Sequence, residues 1–252
     1  MTRWSRALML LANLVAAAAF AWPLIVPALP SQAQSAVPFA ALALVPLAVV
    51  LALVALDGQM RSALTLAMLG TLAAVGAAVR IAGTGVGGLE AVFVVLILAG
   101  RAFGARFGFL LGVLVIALSS LVSGFGPWTP FQMVACAWVA AGAGLLPRLP
   151  GRRGLEIAVL AIYGVVASYA FGLVMNLWFW PFAVGSDTAI SYSAGAPLSQ
   201  NLTSFLTYTP VTSTLTWDTL RAITTVVGVT VAGPAVLAAL RRTKLSPPHH
   251  SS

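Results

Sequence analysis

The chain is a succession of apolar runs, each about as long as a bilayer's hydrocarbon core is thick, with charged residues held almost wholly to the gaps between them. A spanning helix needs about 20 mostly apolar residues. Such runs fall at roughly 6–27, 38–56, 62–82, 86–101, 106–123, 130–147, 155–181 and 216–241, with ends good to ~2–4 residues. The fourth is short for a span, so it is either firmly tethered or thins the bilayer around it. Only 7% of the residues are charged and 60% are apolar, against roughly 25% charged in a soluble domain. The expected fold is therefore an all-α integral membrane protein of about eight transmembrane helices. A soluble enzyme, a disordered tail and a coiled coil are excluded. The single cysteine, Cys136, leaves no disulfide framework and no CxxC metal site.

The net charge of +8 does not point to nucleic acid, because the basic residues are scattered singly and in pairs between apolar runs. They sort by side instead. With the N-terminus inside, the cytoplasmic segments hold Arg3, Arg6, Arg61, Arg101, Arg106, Arg148, Arg152, Arg153, Arg241, Arg242 and Lys244, and the outer side holds only Arg80 and Arg221. The positive-inside rule then places both termini in the cytoplasm of a multi-pass plasma-membrane protein. The first run has basic residues before it and small residues after it, like a signal peptide. Its apolar stretch exceeds the ~7–15 residues of a signal core, so it reads as a retained span. Residues 182–215 form a long outer loop rich in Ser, Thr, Gly, Pro and Tyr, and residues 246–252 a frayed tail.

Several chemistries are missing. A P-loop needs a lysine beside a glycine-rich turn, and the only lysine, Lys244, stands in the C-terminal segment. Both histidines, His249 and His250, lie in the tail, and HExxH, GxSxG and GxGxxG patterns are absent. No catalytic centre, metal site or resident cofactor is expected. Gly83-Thr84-Gly85-Val86-Gly87-Gly88 reads as a tight turn.

Polar and aromatic residues collect on the outer side. Arg80 closes the third run and Glu90 opens the fourth, so they pair with each other or face a ligand. Asp218 and Arg221, three apart at the start of the last span, pair on one helix face or contact a ligand. In Gly126-Pro127-Trp128-Thr129-Pro130-Phe131-Gln132, Pro130 suits a first helical turn. Trp128 and Phe131 offer flat faces there, and Gln132 offers a donor and an acceptor. Together they can stack on a ring system and select its polar edge; the alternative is an interfacial anchor, which accounts readily for Trp22, Trp178 and Trp180. Asn176 completes the set, and Tyr192, Asn201 and Tyr208 in the long loop are placed to close over a bound molecule. The third run carries a stripe of small residues, Ala63, Ala67, Gly70, Ala74 and Ala77 or Ala78, at helical spacing. Such a stripe serves internal packing or docking of a separate membrane subunit.

Three segments carry a family resemblance. Gly87-Gly88-Leu89-Glu90, then Leu98-Ala99-Gly100-Arg101-Ala102-Phe103-Gly104-Ala105-Arg106-Phe107-Gly108, then Gly126-Pro127-Trp128-Thr129-Pro130-Phe131-Gln132 resemble the substrate-binding S components of energy-coupling factor (ECF) vitamin transporters, in particular actinobacterial members. The resemblance covers about residues 62–245 and implies a six-helix core there, preceded by two additional helices in 1–61. It further implies capture of a vitamin or its precursor outside, with cobalamin or a related corrinoid the nearest match. The ligand would then pass inward through a transmembrane coupling subunit and two cytoplasmic ATPases. In that family an alanine-rich face on the first core helix docks the coupling subunit, and Ala63-Leu64-Thr65-Leu66-Ala67 matches it. The expected ligand-binding residues are Arg80, Glu90, Trp128, Gln132, Asn176, Trp180, Asp218 and Arg221. The alternative is a self-sufficient secondary transporter or channel, against which stands the lack of ionisable residues in the middle of the spans. A lipid-acting membrane enzyme ranks last, for want of a carboxylate or histidine cluster.

Overall fold

The computed structural model describes residues 3–26, 36–56, 62–83, 91–149, 151–185 and 188–245, and among them there are helices, turns and short connections but no strand. The helices are α1 (Arg3–Phe20), α2 (Trp22–Ile25), α3 (Val37–Leu56), α4 (Ala63–Gly83), α5 (Val92–Phe103), α6 (Ala105–Ser123), α7 (Thr129–Leu145), α8 (Arg153–Ala183), α9 (Leu198–Thr209) and α10 (Thr219–Leu245). A π-helical stretch, Pro210–Asp218, joins α9 to α10 without a break. Five helical stretches are long and apolar enough to cross a membrane, and shorter apolar helices at Trp4–Phe20, Val92–Phe103 and Thr129–Leu145 accompany them. Outward faces carry large apolar side chains such as Leu14, Leu121, Ile162 and Val231. Water would penalise that surface and hydrocarbon would not.

The centre of the bundle is α5, whose 12 residues are too few to span the core of a bilayer. As far as Gly100 it is apolar all round, and Phe93, Leu96, Ile97, Leu98 and Ala99 are buried, as a stretch without a polar face must be. Neighbouring helices α6, α7 and α10 pack around it. Glycines set how closely they come. A Cβ on Gly100 or Gly108 would collide with the Ala140 carbonyl of α7, and one on Gly112 with the backbone of Ala137. Gly104, at φ +97, forms the whole connection between α5 and α6. Its N–H donates to Gly100 O at 2.8 Å and its carbonyl accepts from Gly108 N at 3.0 Å. The glycines of the Gly100–Gly108 segment thus have a local cause: two permit close backbone contact and one permits a turn.

The N-terminal helices pack chiefly on each other, through Ala12, Ala16 and Ala19 of α1 and Ala41, Val45 and Ala48 of α3. Their fastenings to the rest include two hydrogen bonds and a ring contact. Trp138 Nε1 donates to Asn13 Oδ1 at 2.5 Å, Trp22 Nε1 donates to the Trp178 carbonyl at 3.1 Å, and Phe20 stands edge-on to Phe131 at 5.0 Å. The run expected at 6–27 is not one helix: it breaks at Ala21 and restarts as α2, with Pro23 in its first turn.

The largest departure from expectation is the segment 182–215. Only 184–197 is irregular among its described residues, and from Leu198 the chain is helical through the π segment into α10. The buried positions Asn201, Phe205 and Tyr208 recur at helical spacing. The hydroxyls that suggest a loop are satisfied within the helix: Thr203 donates to Ser199 O, Thr207 to Thr203 O and Thr212 to Tyr208 O. This added packing also encloses the tryptophans. Trp22, Trp178 and Trp180 are buried, at 4%, 2% and 0% exposure, rather than interfacial anchors.

Candidate functional site

Helix direction alternates along the chain, so two ends of the bundle can be told apart by the residues that meet there. At one end Arg80, near the C-terminus of α4, reaches two other helices. Its Nη1 donates to Ser119 Oγ at 2.9 Å and Ser123 Oγ at 3.3 Å on α6, and its Nη2 donates to Gln132 Oε1 at 2.9 Å on α7. Both serines spend their own protons on α6 carbonyls, Ile116 O and Ser119 O, which leaves their lone pairs to accept from the guanidinium. Arg80 and Gln132 are therefore brought together, with two serines that sequence reasoning did not single out. Glu90 and the glycine turn before it lie outside the described residues.

Trp128 lies in the turn that starts α7. Its indole folds over Gly126, where any side chain would overlap the ring. Reciprocal bonds, Gly126 N to Thr129 Oγ1 and Thr129 N to Gly126 O, both 2.9 Å, lock that turn. One indole face is covered by its own turn while the residue remains 44% exposed. Phe131 does not share an open stacking slot with it. It is fully buried and stacks on Trp178 at 4.2 Å with an 8° interplanar angle.

Beside that stack, on α8 and the segment after it, lie polar atoms with no partner. Asn176 Nδ2, Trp178 Nε1, Tyr192 Oη and Thr209 Oγ1 are buried and make no hydrogen bond. Burial also pushes the Tyr192 phenol above its ordinary pKa, so it remains an O–H donor at neutral pH. An unmade bond of this kind costs about 1–3 kcal/mol, and folded proteins rarely keep several in one region without a ligand, water or ion to meet them. Tyr192 and Asn176 were legible as candidates; Trp178 and Thr209 were not.

The other candidates are engaged internally. Trp180 is fully buried, donates Nε1 to Ile190 O at 2.7 Å, and packs against Tyr192, Phe205 and Tyr208. Asn201 bonds both the N–H and the carbonyl of Ser193, holding the irregular segment rather than facing a ligand. Asp218 and Arg221 pair at 2.7 Å, both buried. The Asp218 carboxylate also accepts from Ser213 Oγ at 3.0 Å and lies against Gly172, where a Cβ would overlap it. The Arg221 guanidinium donates to Ser168 O at 3.2 Å and lies over the rings of Phe171 and Phe93, 4.7 and 5.6 Å from their centroids. Ser168 is halfway along α8, so an ionisable pair does reach the interior of the bundle. The expectation of none there gives way: Arg221 starts its helix near one end and extends inward.

At the opposite end stands a triad that sequence reasoning missed. Glu156 Oε1 accepts from Arg101 Nε at 2.6 Å and Arg241 Nη2 at 2.7 Å, and Arg101 also donates to the carbonyls of Leu146 and Pro147. Four helices or their ends, α5, α7, α8 and α10, are tied by one carboxylate and two guanidiniums. The available signal was an acidic residue standing alone among the basic ones.

On α4 the small-residue stripe is used for internal packing only at Ala77. Leu69, Ala73, Gly76 and Ala77 form its buried face, with Gly76 against Val115 of α6, while Ala63, Ala67, Gly70 and Ala74 are exposed. No protein-family model, curated protein or solved structure matches the chain.

Proposed function

We infer that this protein is the substrate-capturing membrane subunit of an ATP-driven vitamin importer, an S component of the ECF type. On this reading about eight helices cross the plasma membrane with both termini cytoplasmic, the Arg80 end faces outward, and residues 62–245 form the binding core with the helices of 1–61 added to it. The observation that carries it is the group of buried, unpartnered polar atoms at that end: Asn176 Nδ2, Trp178 Nε1, Tyr192 Oη and Thr209 Oγ1. The rings of Phe131, Phe179 and Phe182 lie against Trp178, and those of Trp22 and Trp180 against Tyr192, a lining suited to a flat ring system with polar edges. Cobalamin or a related corrinoid is the first candidate, before riboflavin, thiamine and biotin. Arg80 and Gln132 hold the rim together, and Trp128, half-exposed on its fixed turn, is placed to cover the ligand.

The exposed stripe Ala63, Ala67, Gly70 and Ala74 is the docking face for the coupling subunit, whose two ATPases supply the energy that this chain has no P-loop to supply. The test is equilibrium binding of a vitamin panel to the purified protein, with mass spectrometry of co-purifying small molecules. Submicromolar binding of one vitamin is expected; none would overturn the reading. A second reading, a self-sufficient secondary transporter, is favoured by the Asp218–Arg221 pair beside a π-helical stretch. Uptake by the protein alone in liposomes, driven by a proton or sodium gradient, would establish it instead.

A further inference from the structure

A second binding feature lies on the flank of the bundle. Between α7 and α8 is a cleft of about 170 Å³ whose wall includes Trp138, Val139, Tyr163, Val166, Ala170 and Phe171. That is well below the ~300–1,000 Å³ of sites for drug-sized ligands. The polar tips in its wall are already spent. Trp138 Nε1 donates to Asn13, and Tyr163 Oη donates to Val139 O at 2.7 Å. Val166 and Ala170 are exposed, so the cleft opens on the outer surface of the bundle and not into its core. A polar solute finds nothing there to bond; a hydrocarbon chain finds a matching surface.

The connection joining the same two helices carries Arg148, Arg152 and Arg153. All three are exposed, and among the described residues their guanidiniums make no hydrogen bond or ion pair, in contrast to Arg101 and Arg241, which close on Glu156. Along α8 the cleft runs from Tyr163 to Val174, ten to twenty-one residues beyond Arg153, so its near end lies about 15 Å away at the helical rise. That near end stands at half of the ~30 Å hydrocarbon thickness, the depth that the tails of one leaflet reach. Charge, depth and lining therefore agree on a single occupant.

We propose that this protein binds an anionic phospholipid, its phosphate held by Arg148, Arg152 and Arg153 and the end of an acyl tail seated in the α7–α8 cleft. The site depends on membrane embedding and not on the vitamin reading. Headgroup attraction alone would be shared by any basic connection; the tail contact makes the site specific.

The experiment is native mass spectrometry of the delipidated full chain in mild detergent, titrated with phosphatidylglycerol or phosphatidylcholine of identical sixteen-carbon tails. Phosphatidylglycerol should be retained at roughly tenfold lower lipid concentration. The triple variant R148Q/R152Q/R153Q should erase that preference. Val166→Trp, at an exposed position in the near part of the cleft, should weaken phosphatidylglycerol retention several-fold without altering the thermal melt. Dioctanoyl phosphatidylglycerol, whose tails stop short of the cleft, should bind the parent protein weakly and be indifferent to Val166→Trp. Equal retention of the two headgroups would overturn the proposal. So would phosphatidylglycerol binding that ignores Val166→Trp, or displacement of the lipid by a vitamin.

Discussion

The two ends of the bundle solve the problem of buried polarity in opposite ways. At the Glu156 end each interior charge is met. One carboxylate takes two guanidiniums, and the Arg101 side chain, 5% exposed, also satisfies two backbone carbonyls that close α7. At the Arg80 end four buried polar atoms on α8, α9 and the segment between them have no partner at all. Groups left unmade in a low-dielectric interior are costly. A fifth such atom, Thr225 Oγ1 on α10, lies in the interior beside Gly164, so the concentration at one end is four of five among the described residues. On the proposed function these four are where a bound molecule completes the structure, while the saturated end holds the helices.

The sharpest way to break this contrast is to damage the saturated end. Glu156→Gln leaves Arg101 buried with its charge unmatched, a change that costs about 3–5 kcal/mol when one member of a buried pair is lost. A large fall in the detergent melting temperature is expected, with vitamin affinity in the surviving folded fraction unchanged. A melt equal to the parent's would mean that the triad is not what holds this end closed.

Two exposed positions separate recognition from assembly. Trp128→Ala should cost about 1–3 kcal/mol of ligand affinity, as for other aromatic contacts to rings, and leave stability nearly unchanged. Ala67→Trp should leave affinity intact but abolish co-purification with a coupling subunit, since a bulky side chain on the exposed stripe blocks close helix approach. If both variants merely unfolded, neither role would stand.

At the unsaturated end the sign of the stability effect is the informative quantity. Asn176→Leu and Thr209→Val remove polar atoms that bond nothing, so no bond is lost and a desolvation cost is relieved. Each should melt no lower than the parent, yet ligand should bind roughly tenfold more weakly, which is about 1.4 kcal/mol. A polar group with a structural partner would behave in the reverse way, and calorimetry with a binding titration on the same preparations distinguishes the two.

How much of this was legible in the sequence follows from the range of the forces involved. The apolar runs were readable because a bilayer obliges each crossing segment to satisfy its own backbone, so length and composition carry the signal. The glycines of Gly100–Gly108 stood out, but the work of Gly100 and Gly108 against Ala140 depends on a helix some thirty to forty residues further along. α9 was hidden because Ser and Thr mask the spacing of Asn201, Phe205 and Tyr208. Arg80 and Gln132 could be named singly, but not as partners, since no periodicity links positions 52 apart. Glu156 was invisible for a different reason. Its partners look like ordinary orienting charges, and only packing shows that they turn inward.

The smallest effect is also the most discriminating within the triad. Arg241 bonds the same Glu156 oxygen as Arg101, yet its side chain is 43% exposed. Solvent screens such a pair, so Arg241→Gln should cost no more than about 1 kcal/mol, a fraction of the Glu156→Gln loss. Added salt should shrink that difference further, since exposed charges are screened more than buried ones. Melts of the two variants at low and high salt read the gap directly. A cost for Arg241→Gln as large as that for Glu156→Gln would mean that the outer guanidinium, and not the clamp between Arg101 and the α7 carbonyls, carries this end.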